Sequence, residues 1–150
     1  MQIFGVDPGL CTGFSGLDEQ GELFWCGDTS EGLDLFGEQG DLVVLEVPQI
    51  YRHSKGDPND LITLALQAGG YRERFQSKGF RVVTVKPAEW KGQVDKDMHN
   101  ARVIKSLPPE ELELFKLKTK SLAASKRHNV IDAIGLAKWA FSVELYRQVR

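Results

Sequence analysis

Cysteine is scarce in this chain of 150 residues, which contains only Cys11 and Cys26. Two cysteines are too few for a disulfide framework, and their separation is not the CxxC spacing that is typical of zinc or redox sites. We therefore expect two reduced thiols and no zinc site.

Long apolar runs and targeting signals are also missing. No apolar segment approaches the roughly 18 to 20 residues of a membrane-spanning helix. The first residues, MQIFGVD, lack the basic start and the cleavage site of a signal peptide. These absences predict a cytoplasmic protein with no membrane partner.

The composition excludes several other classes of protein. With 41% hydrophobic and 27% charged residues, the chain is typical of a globular protein rather than a disordered, collagen-like or disulfide-rich one. Its length predicts one domain over residues 1–150 with a core of its own.

Charge is distributed unevenly along the chain. The net charge is only -2, but residues 71–128 contain 14 Lys and Arg against 7 Asp and Glu. A basic segment on an acidic chain is consistent with a surface that follows phosphates. It is equally consistent with solvated helix surfaces, and the charge alone leaves both interpretations open.

The apolar pattern predicts a mixed α/β protein. Short apolar segments between turn residues predict five strands, at residues 2–7, 12–17, 22–27, 41–47 and 80–85. Helical spacing predicts helices at residues 60–76 and 96–107 and from Ser121 or Ser125 to about residue 148, with short helices around residues 33–36 and after Pro108. The polar segment 49–59 is predicted to be a loop. This order indicates a mixed five-stranded sheet, flanked by helices, whose first three strands are antiparallel.

Asp7 and Glu46 occupy unusual positions at the ends of predicted strands. Asp7 lies where a strand meets the Pro8-Gly9 turn, so its carboxylate either projects from the strand end or binds the turn backbone. Glu46 interrupts the apolar sequence LVVLEV, where a buried carboxylate is costly without a partner. It either pairs with a lysine or arginine or belongs to a functional site.

The last helix carries a third acidic residue. In KRHNVIDAIGLAKWA, an apolar stripe faces the sheet at Val130, Ile131, Ile134, Ala137 and Phe141. A neighbouring face contains His128, Asp132, Gly135 and Trp139, and Asn129 also reaches that side. If Ser125 is the N-cap, His128 and Asn129 lie in the first turn, where the helix dipole favours phosphate. The alternative is a capped surface helix with an ordinary exposed aspartate.

Together the three acidic residues match the needs of one reaction. Hydrolysis of a phosphodiester with two divalent ions requires carboxylates from separate elements that hold the ions about 4 Å apart. Hard oxygen ligands favour Mg²⁺, for which Mn²⁺ can substitute. Asp7, Glu46 and Asp132 would provide such a set if they met at one edge of the sheet.

Three segments resemble the RuvC-like Holliday junction resolvases, and the short phage-type members most. IFGVDPGLCTGFSGLD is similar to their first strand and hairpin, VVLEVPQIY to their second acidic strand, and HNVIDAIGLAKWA to their last acidic helix. The resemblance implies a ribonuclease H-like fold, a homodimer and metal-dependent, paired nicking of four-way DNA junctions. It also implies that Asp7, Glu46 and Asp132 are metal ligands. If the chain is encoded by a phage, as the resemblance to the phage-type members suggests, the expected location is the host cytoplasm.

One position departs from the family pattern. The family has an Asp or His three residues before the last Asp, and this chain has Asn129 there, with His128 one residue earlier. Either Asn129 or His128 is therefore a candidate for the fourth ligand, and His128 is also a candidate proton carrier.

Basic and aromatic residues around the predicted site are candidate DNA contacts. The candidates for phosphate binding are Lys86, Lys91, Lys96, Lys118, Lys120, Lys126 and Arg127. Tyr51, in the loop after Glu46, either stacks on an unpaired base or covers the core.

We therefore expect a junction-resolving endonuclease with two Mg²⁺ ions per site, acting as a homodimer on four-way or branched DNA. Gly69-Gly70 would permit close helix approach at an interface or inside the chain. Two other functions are consistent with parts of the pattern. One is a DNA-binding protein with a nuclease fold and no activity, and the other is a fragment of an actin-like or sugar-kinase-like ATPase.

Overall fold

The computed structural model describes residues 1–53 and 55–148. Its five strands are β1 (Ile3–Asp7), β2 (Gly13–Leu17), β3 (Leu23–Gly27), β4 (Leu42–Glu46) and β5 (Arg81–Val85). Its helices are α1 (Glu31–Phe36), α2 (Pro58–Ser77), α3 (Pro87–Trp90), α4 (Lys96–Ser106), α5 (Pro109–Thr119) and α6 (Ala124–Gln148). All five predicted strands are present, each within one residue of its predicted limits.

The strands form one mixed sheet in the order β3-β2-β1-β4-β5. Strands β1, β2 and β3 pair antiparallel, whereas β4 runs parallel to both β1 and β5. The predicted antiparallel meander and mixed sheet are therefore confirmed. Because β1 and β4 are parallel neighbours, their carboxyl ends meet at the same edge of the sheet.

Each face of the sheet packs against different helices because alternate strand residues point to opposite sides. On one face, Ile3 and Val44 join a core that includes Ile134 of α6 and residues of α4 and α5. On the other face, Phe4 and Val43 pack in a second core with residues of α1 and α2. The first face is the one that places α6 over β1 and β2.

The helices differ from the prediction at the start of α2, at α3 and at the start of α6. Helix α2 begins at Pro58, because the side chain of Asp57 caps it by accepting a hydrogen bond from the Asn59 amide at 2.9 Å. Helix α3, which is only four residues long, was not predicted.

Among the described residues, no helix is long and apolar enough to cross a membrane.

The predicted start of the last helix is wrong. Helix α6 begins at Ala124, and the Arg127 amide donates to the Ala123 carbonyl at 3.0 Å. Neither Ser121 nor Ser125 is therefore the N-cap, since alanine is itself a strong helix former and extends the first turn. His128 consequently lies in the second turn rather than the first.

Candidate active site

Two carboxylates leave the sheet side by side. Asp7 is the last residue of β1 and Glu46 is the last residue of β4. Val6 is paired with Leu45 in the parallel register, so the next residue of each strand emerges at the same edge. The parallel pairing of β1 with β4 thus brings together two residues that are 39 positions apart in the sequence.

Helix α6 brings the third carboxylate to this edge because glycines let it approach the strands closely. A Cβ at Gly5 would lie 2.1 Å from the Ala133 carbonyl oxygen, and one at Gly13 would lie 2.0 Å from the Asn129 carbonyl oxygen. The hydroxyl of Ser15 also donates to the Ala133 carbonyl at 2.8 Å. This contact fixes Asp132, the residue before Ala133, against the sheet.

Two of the three carboxylates are buried, the third, Glu46, is partly buried, and the three repel one another. Asp7 is 7% exposed and Asp132 is 3% exposed. Burial, followed by the charges of Glu46 and Asp132, raises the pKa of the Asp7 carboxyl well above its usual value of 3.8. Burial also raises the pKa of Glu46, although nearby Lys91 opposes the shift. A buried group of like charges is destabilising, and such groups are typical of functional sites.

Lys91 supplies the positive charge at the centre of this group. Its Nζ lies 3.3 Å from Glu46 Oε2 and 3.5 Å from Asp132 Oδ2. Burial acts to lower the pKa of Lys91, but the charges of Glu46, Asp132 and Asp7 outweigh it and raise that pKa. The two interpretations of Glu46 are therefore compatible, since it pairs with a lysine and also lies in the acidic group.

Two aromatic side chains that the sequence analysis did not single out complete the surroundings. The indole Nε1 of Trp90 donates to Glu46 Oε2 at 2.7 Å. The ring of His99 meets Trp90 edge to face at a centroid distance of 4.8 Å, and its Nε2 lies 3.9 Å from Asp132 Oδ1. The only available signal was a tryptophan and a histidine in polar segments close to predicted phosphate-binding lysines.

The donor types fit a hard divalent cation, but the side chains do not form a ready-made cluster. In the described part of the chain, no three His, Cys, Asp or Glu side chains are arranged to hold a metal ion as they stand. The Lys91 ammonium instead contacts two of the three carboxylates. Asp132 Oδ1 is buried without a hydrogen-bond partner among the described residues, as expected of an oxygen that serves as a ligand. A divalent ion bound here would compete with Lys91.

Comparison with known proteins identifies the fold. No protein-family model matches the sequence, and no curated protein matches it either. RuvC of T. thermophilus, solved in complex with Holliday junction substrate, superposes with a TM-score of 0.62 at 18% identity, covering 97% of this chain and 96% of that one. The chain has the RuvC fold.

A second solved structure shares this fold. Ydc2, the yeast mitochondrial Holliday junction resolvase, gives a TM-score of 0.52 at 14% identity and covers 98% of this chain and 82% of that one. The predicted RuvC-like, ribonuclease H-like architecture is thus confirmed. At these identities the comparison establishes the RuvC fold and leaves activity to be argued from the site.

Within the RuvC fold, the two candidates for the fourth ligand are bonded to other groups. The Asn129 side-chain amide donates to the Cys11 carbonyl, which ties α6 to the β1–β2 turn. His128 Nδ1 contacts the side-chain amide of Asn100 on α4. Both residues border a cavity of about 990 Å³ that opens beside Pro8, the residue after Asp7.

The basic candidates are distributed over several surfaces. Lys91 lies inside the acidic group, Lys96 begins α4 and lines the large cavity, and Lys86 is exposed just before α3. Two more basic residues lie near the start of α6, where Lys126 Nζ is 3.7 Å from Asp28 Oδ2 and Arg127 is half-buried.

The remaining candidates lie on exposed surfaces. Lys118 and Lys120 are exposed at the end of α5. Tyr51 is 45% exposed and lies outside both core clusters, so its ring is open to solvent.

Proposed function

We propose that this protein is a divalent-metal-dependent endonuclease that resolves four-way DNA junctions by paired nicks. The observation that carries the proposal is the buried group of Asp7, Glu46 and Asp132, which three different elements bring to one sheet edge. Burial raises the pKa values of Asp7 and Glu46. A group of carboxylates withdrawn from water is costly, so a protein retains it where a cation or a reaction requires it.

The chain's own residues would divide the work of hydrolysis. Asp7, Glu46 and Asp132 would hold the ions, which when bound supply an activated water and stabilise the leaving oxygen. Mg²⁺ or Mn²⁺ suits these oxygen donors. Lys91, which now contacts two of these carboxylates, would be released when an ion takes its place, and a released lysine is protonated at neutral pH. Its charge would then be available to the scissile phosphate.

Basic side chains outside the carboxylate group would hold the DNA backbone. Lys96 lines the large cavity next to the Pro8-Gly9 turn, so a strand that reaches Asp7 would pass close to it. Exposed Tyr51, on the loop that follows Glu46, would stack on an unpaired base at the crossover. The other lysines named above would contact phosphates further along the arms.

Paired nicking requires two sites, and α2 offers a surface for a second copy of the chain. Ile62 and Leu66 are 58% and 74% exposed on its outer side. A Cβ at Gly69 or Gly70 would meet nothing within 4 Å, so both glycines leave room for close approach. A two-fold dimer formed through this surface would present two sites to the two strands of a symmetric junction.

A cleavage assay tests the proposal. Labelled four-way junction, Y-fork and linear duplex are incubated with the protein, with and without Mg²⁺, and the nicks are mapped. We expect symmetric nicks on the junction that require the ion. Junction binding without cleavage under varied Mg²⁺ and Mn²⁺ would instead favour an inactive DNA-binding protein. ATP binding by calorimetry without DNA binding would favour the ATPase alternative.

A further inference from the structure

The hydrogen bond from Trp90 to Glu46 joins an aromatic residue to the carboxylate group. The indole N–H points at one carboxylate oxygen, Oε2, at 2.7 Å, and that oxygen also lies 3.3 Å from Lys91 Nζ. The Glu46 side chain is only 14% exposed. A neutral donor of fixed direction at a mostly buried carboxylate determines how the carboxylate plane is turned.

The indole is itself held in place by three helices. It belongs to α3, and His99 of α4 meets its ring edge to face at 80°. On α6, a Cβ at Gly135 would lie 3.0 Å from Trp90 Cζ3, so the missing side chain makes room for the ring. Since Gly135 lies three residues after Asp132 on the same helix, the indole spans from the Asp132 helix to Glu46.

The neighbouring aspartate has a complementary feature. Asp132 Oδ1 and His99 Nε2 are both buried without a hydrogen-bond partner among the described residues, and they lie 3.9 Å apart. This separation is too long for a hydrogen bond. The Asp132 oxygen thus keeps its acceptor capacity, while the imidazole fixes the ring of Trp90.

We infer that Trp90 is a positioning residue for the carboxylate site, with His99 as its support. The indole N–H holds Glu46 Oε2, so that Oε1 is the oxygen presented to a divalent ion, and the ring sets the spacing between the Glu46 and Asp132 sides of the site. The inference rests on the proposed function, because it assigns these contacts to the metal centre of that nuclease. Residues that orient metal ligands typically change metal affinity or activity by about 10- to 100-fold when replaced.

The test is Trp90→Phe, which keeps an aromatic ring against His99 and removes only the N–H donor and the second ring. Trp139→Phe is the matched control, because Trp139 packs against the same core as Trp90 but lines a small cavity with Val83 and Ala140 that contains none of the three carboxylates. Calorimetric titration with Mn²⁺ should show that Trp90→Phe lowers the affinity for the ion by roughly 10-fold or more, whereas the control keeps the wild-type affinity. On labelled junction, kcat should fall in Trp90→Phe while KM and metal-free junction affinity stay unchanged.

Nuclear magnetic resonance gives a readout that does not depend on cleavage. With ¹⁵N-labelled tryptophan, the indole resonance of Trp90 can be assigned from its loss in Trp90→Phe. This resonance should shift in Glu46→Gln. It should also shift on titration with Mg²⁺, which is diamagnetic and is therefore used here in place of Mn²⁺. The Trp139 resonance should not shift. Unchanged Mn²⁺ affinity in folded Trp90→Phe, an indole resonance that ignores Glu46→Gln, or a wild-type protein that binds no metal would each overturn the inference. A wild-type protein that binds Mn²⁺ with the expected Trp90 dependence but cuts no DNA would refute the nuclease and leave the positioning role intact.

Discussion

Neutralising Asp7 should make the metal-free protein more stable while removing its proposed activity. Asp7→Asn is nearly isosteric, so the burial of this position and the packing of β1 should be kept. What changes is the charge, which lies among the charges of Glu46 and Asp132 and is only partly balanced by Lys91. In most proteins the loss of a buried charged residue destabilises the fold, and here we expect the opposite because that charge is repelled.

The size of the effect follows from ordinary electrostatics. Two like charges on the order of 6 Å apart repel by about 3 kcal/mol at an effective dielectric constant of about 20. Lys91 offsets part of this repulsion, so a net gain of about 1–2 kcal/mol in the free energy of unfolding is reasonable and is common for substitutions that relieve such sites. For a chain of this length, that gain corresponds to a rise in Tm of roughly 2–8 °C.

The effect should depend on pH with a defined sign. Burial, followed by Glu46 and Asp132, raises the pKa of Asp7 well above 3.8. At a pH between 3.8 and the raised pKa of the folded state, Asp7 holds a proton in the folded protein and has lost it in the unfolded chain. The stability of the wild type therefore falls as the pH rises through this window. The advantage of Asp7→Asn should therefore be largest above the raised pKa and shrink as the pH falls toward 3.8.

Thermal unfolding in EDTA, followed by circular dichroism at several pH values, measures this difference. Addition of Mg²⁺ should reverse the order, because an ion at 100 times its Kd stabilises the wild type by about 2.7 kcal/mol and should bind the variant weakly. Asp34→Asn is the matched control. The salt bridges of Asp34 to Arg74 and Lys78 stabilise its charged form, so that substitution should lower Tm. A folded Asp7→Asn protein with a Tm in EDTA at or below that of the wild type would refute the reasoning.

Three further outcomes are expected. Junction affinity measured by fluorescence anisotropy should fall steeply between low and physiological salt, because the basic segment 71–128 would release counterions from phosphates. An affinity that does not change with salt would mean that this segment does not contact DNA. In the cleavage assay, His128→Ala should lose more activity than Asn129→Ala, since a neutral amide oxygen is a weak ligand that water can replace; the reverse order would assign the fourth position to Asn129. In urea unfolding, Lys138→Met should lower the free energy of unfolding by about 2–3 kcal/mol. The reason is that it leaves buried Glu111, which lies 2.7 Å from Lys138 Nζ, without its cation. A loss below about 0.5 kcal/mol would contradict this.

The sheet was predictable because each strand is a short apolar run bounded by turn residues. The strand that ends at Asp7 and the one that ends at Glu46 could both be located from the apolar pattern alone. That these two strands lie side by side could not be predicted in this way, because β1 and β4 are joined only by long-range pairing. The family resemblance, rather than periodicity, indicated that the two ends meet.

Sequence patterns could not predict helix α3, nor the contacts that Trp90 and Lys91 make with the carboxylates. Four residues from Pro87 to Trp90 are too few to show a helical period. The bond from Trp90 joins it to a residue 44 positions earlier. Lys91 was expected to bind phosphate, and its pairing with two carboxylates depends on how this short helix turns the chain back over the sheet edge.

The fourth position of the site illustrates why spacing within one helix is a weak guide. Asn129 and His128 lie three and four positions before Asp132 on the same helix, and the side chains of both are bonded to other parts of the chain. The imidazole next to Asp132 comes from α4, since Nε2 of His99 lies 3.9 Å from Asp132 Oδ1. Packing of α4 against α6 creates this contact, so only the tertiary structure identifies it. A polar group beside a buried carboxylate is therefore better sought among the elements that cover it than along its own helix.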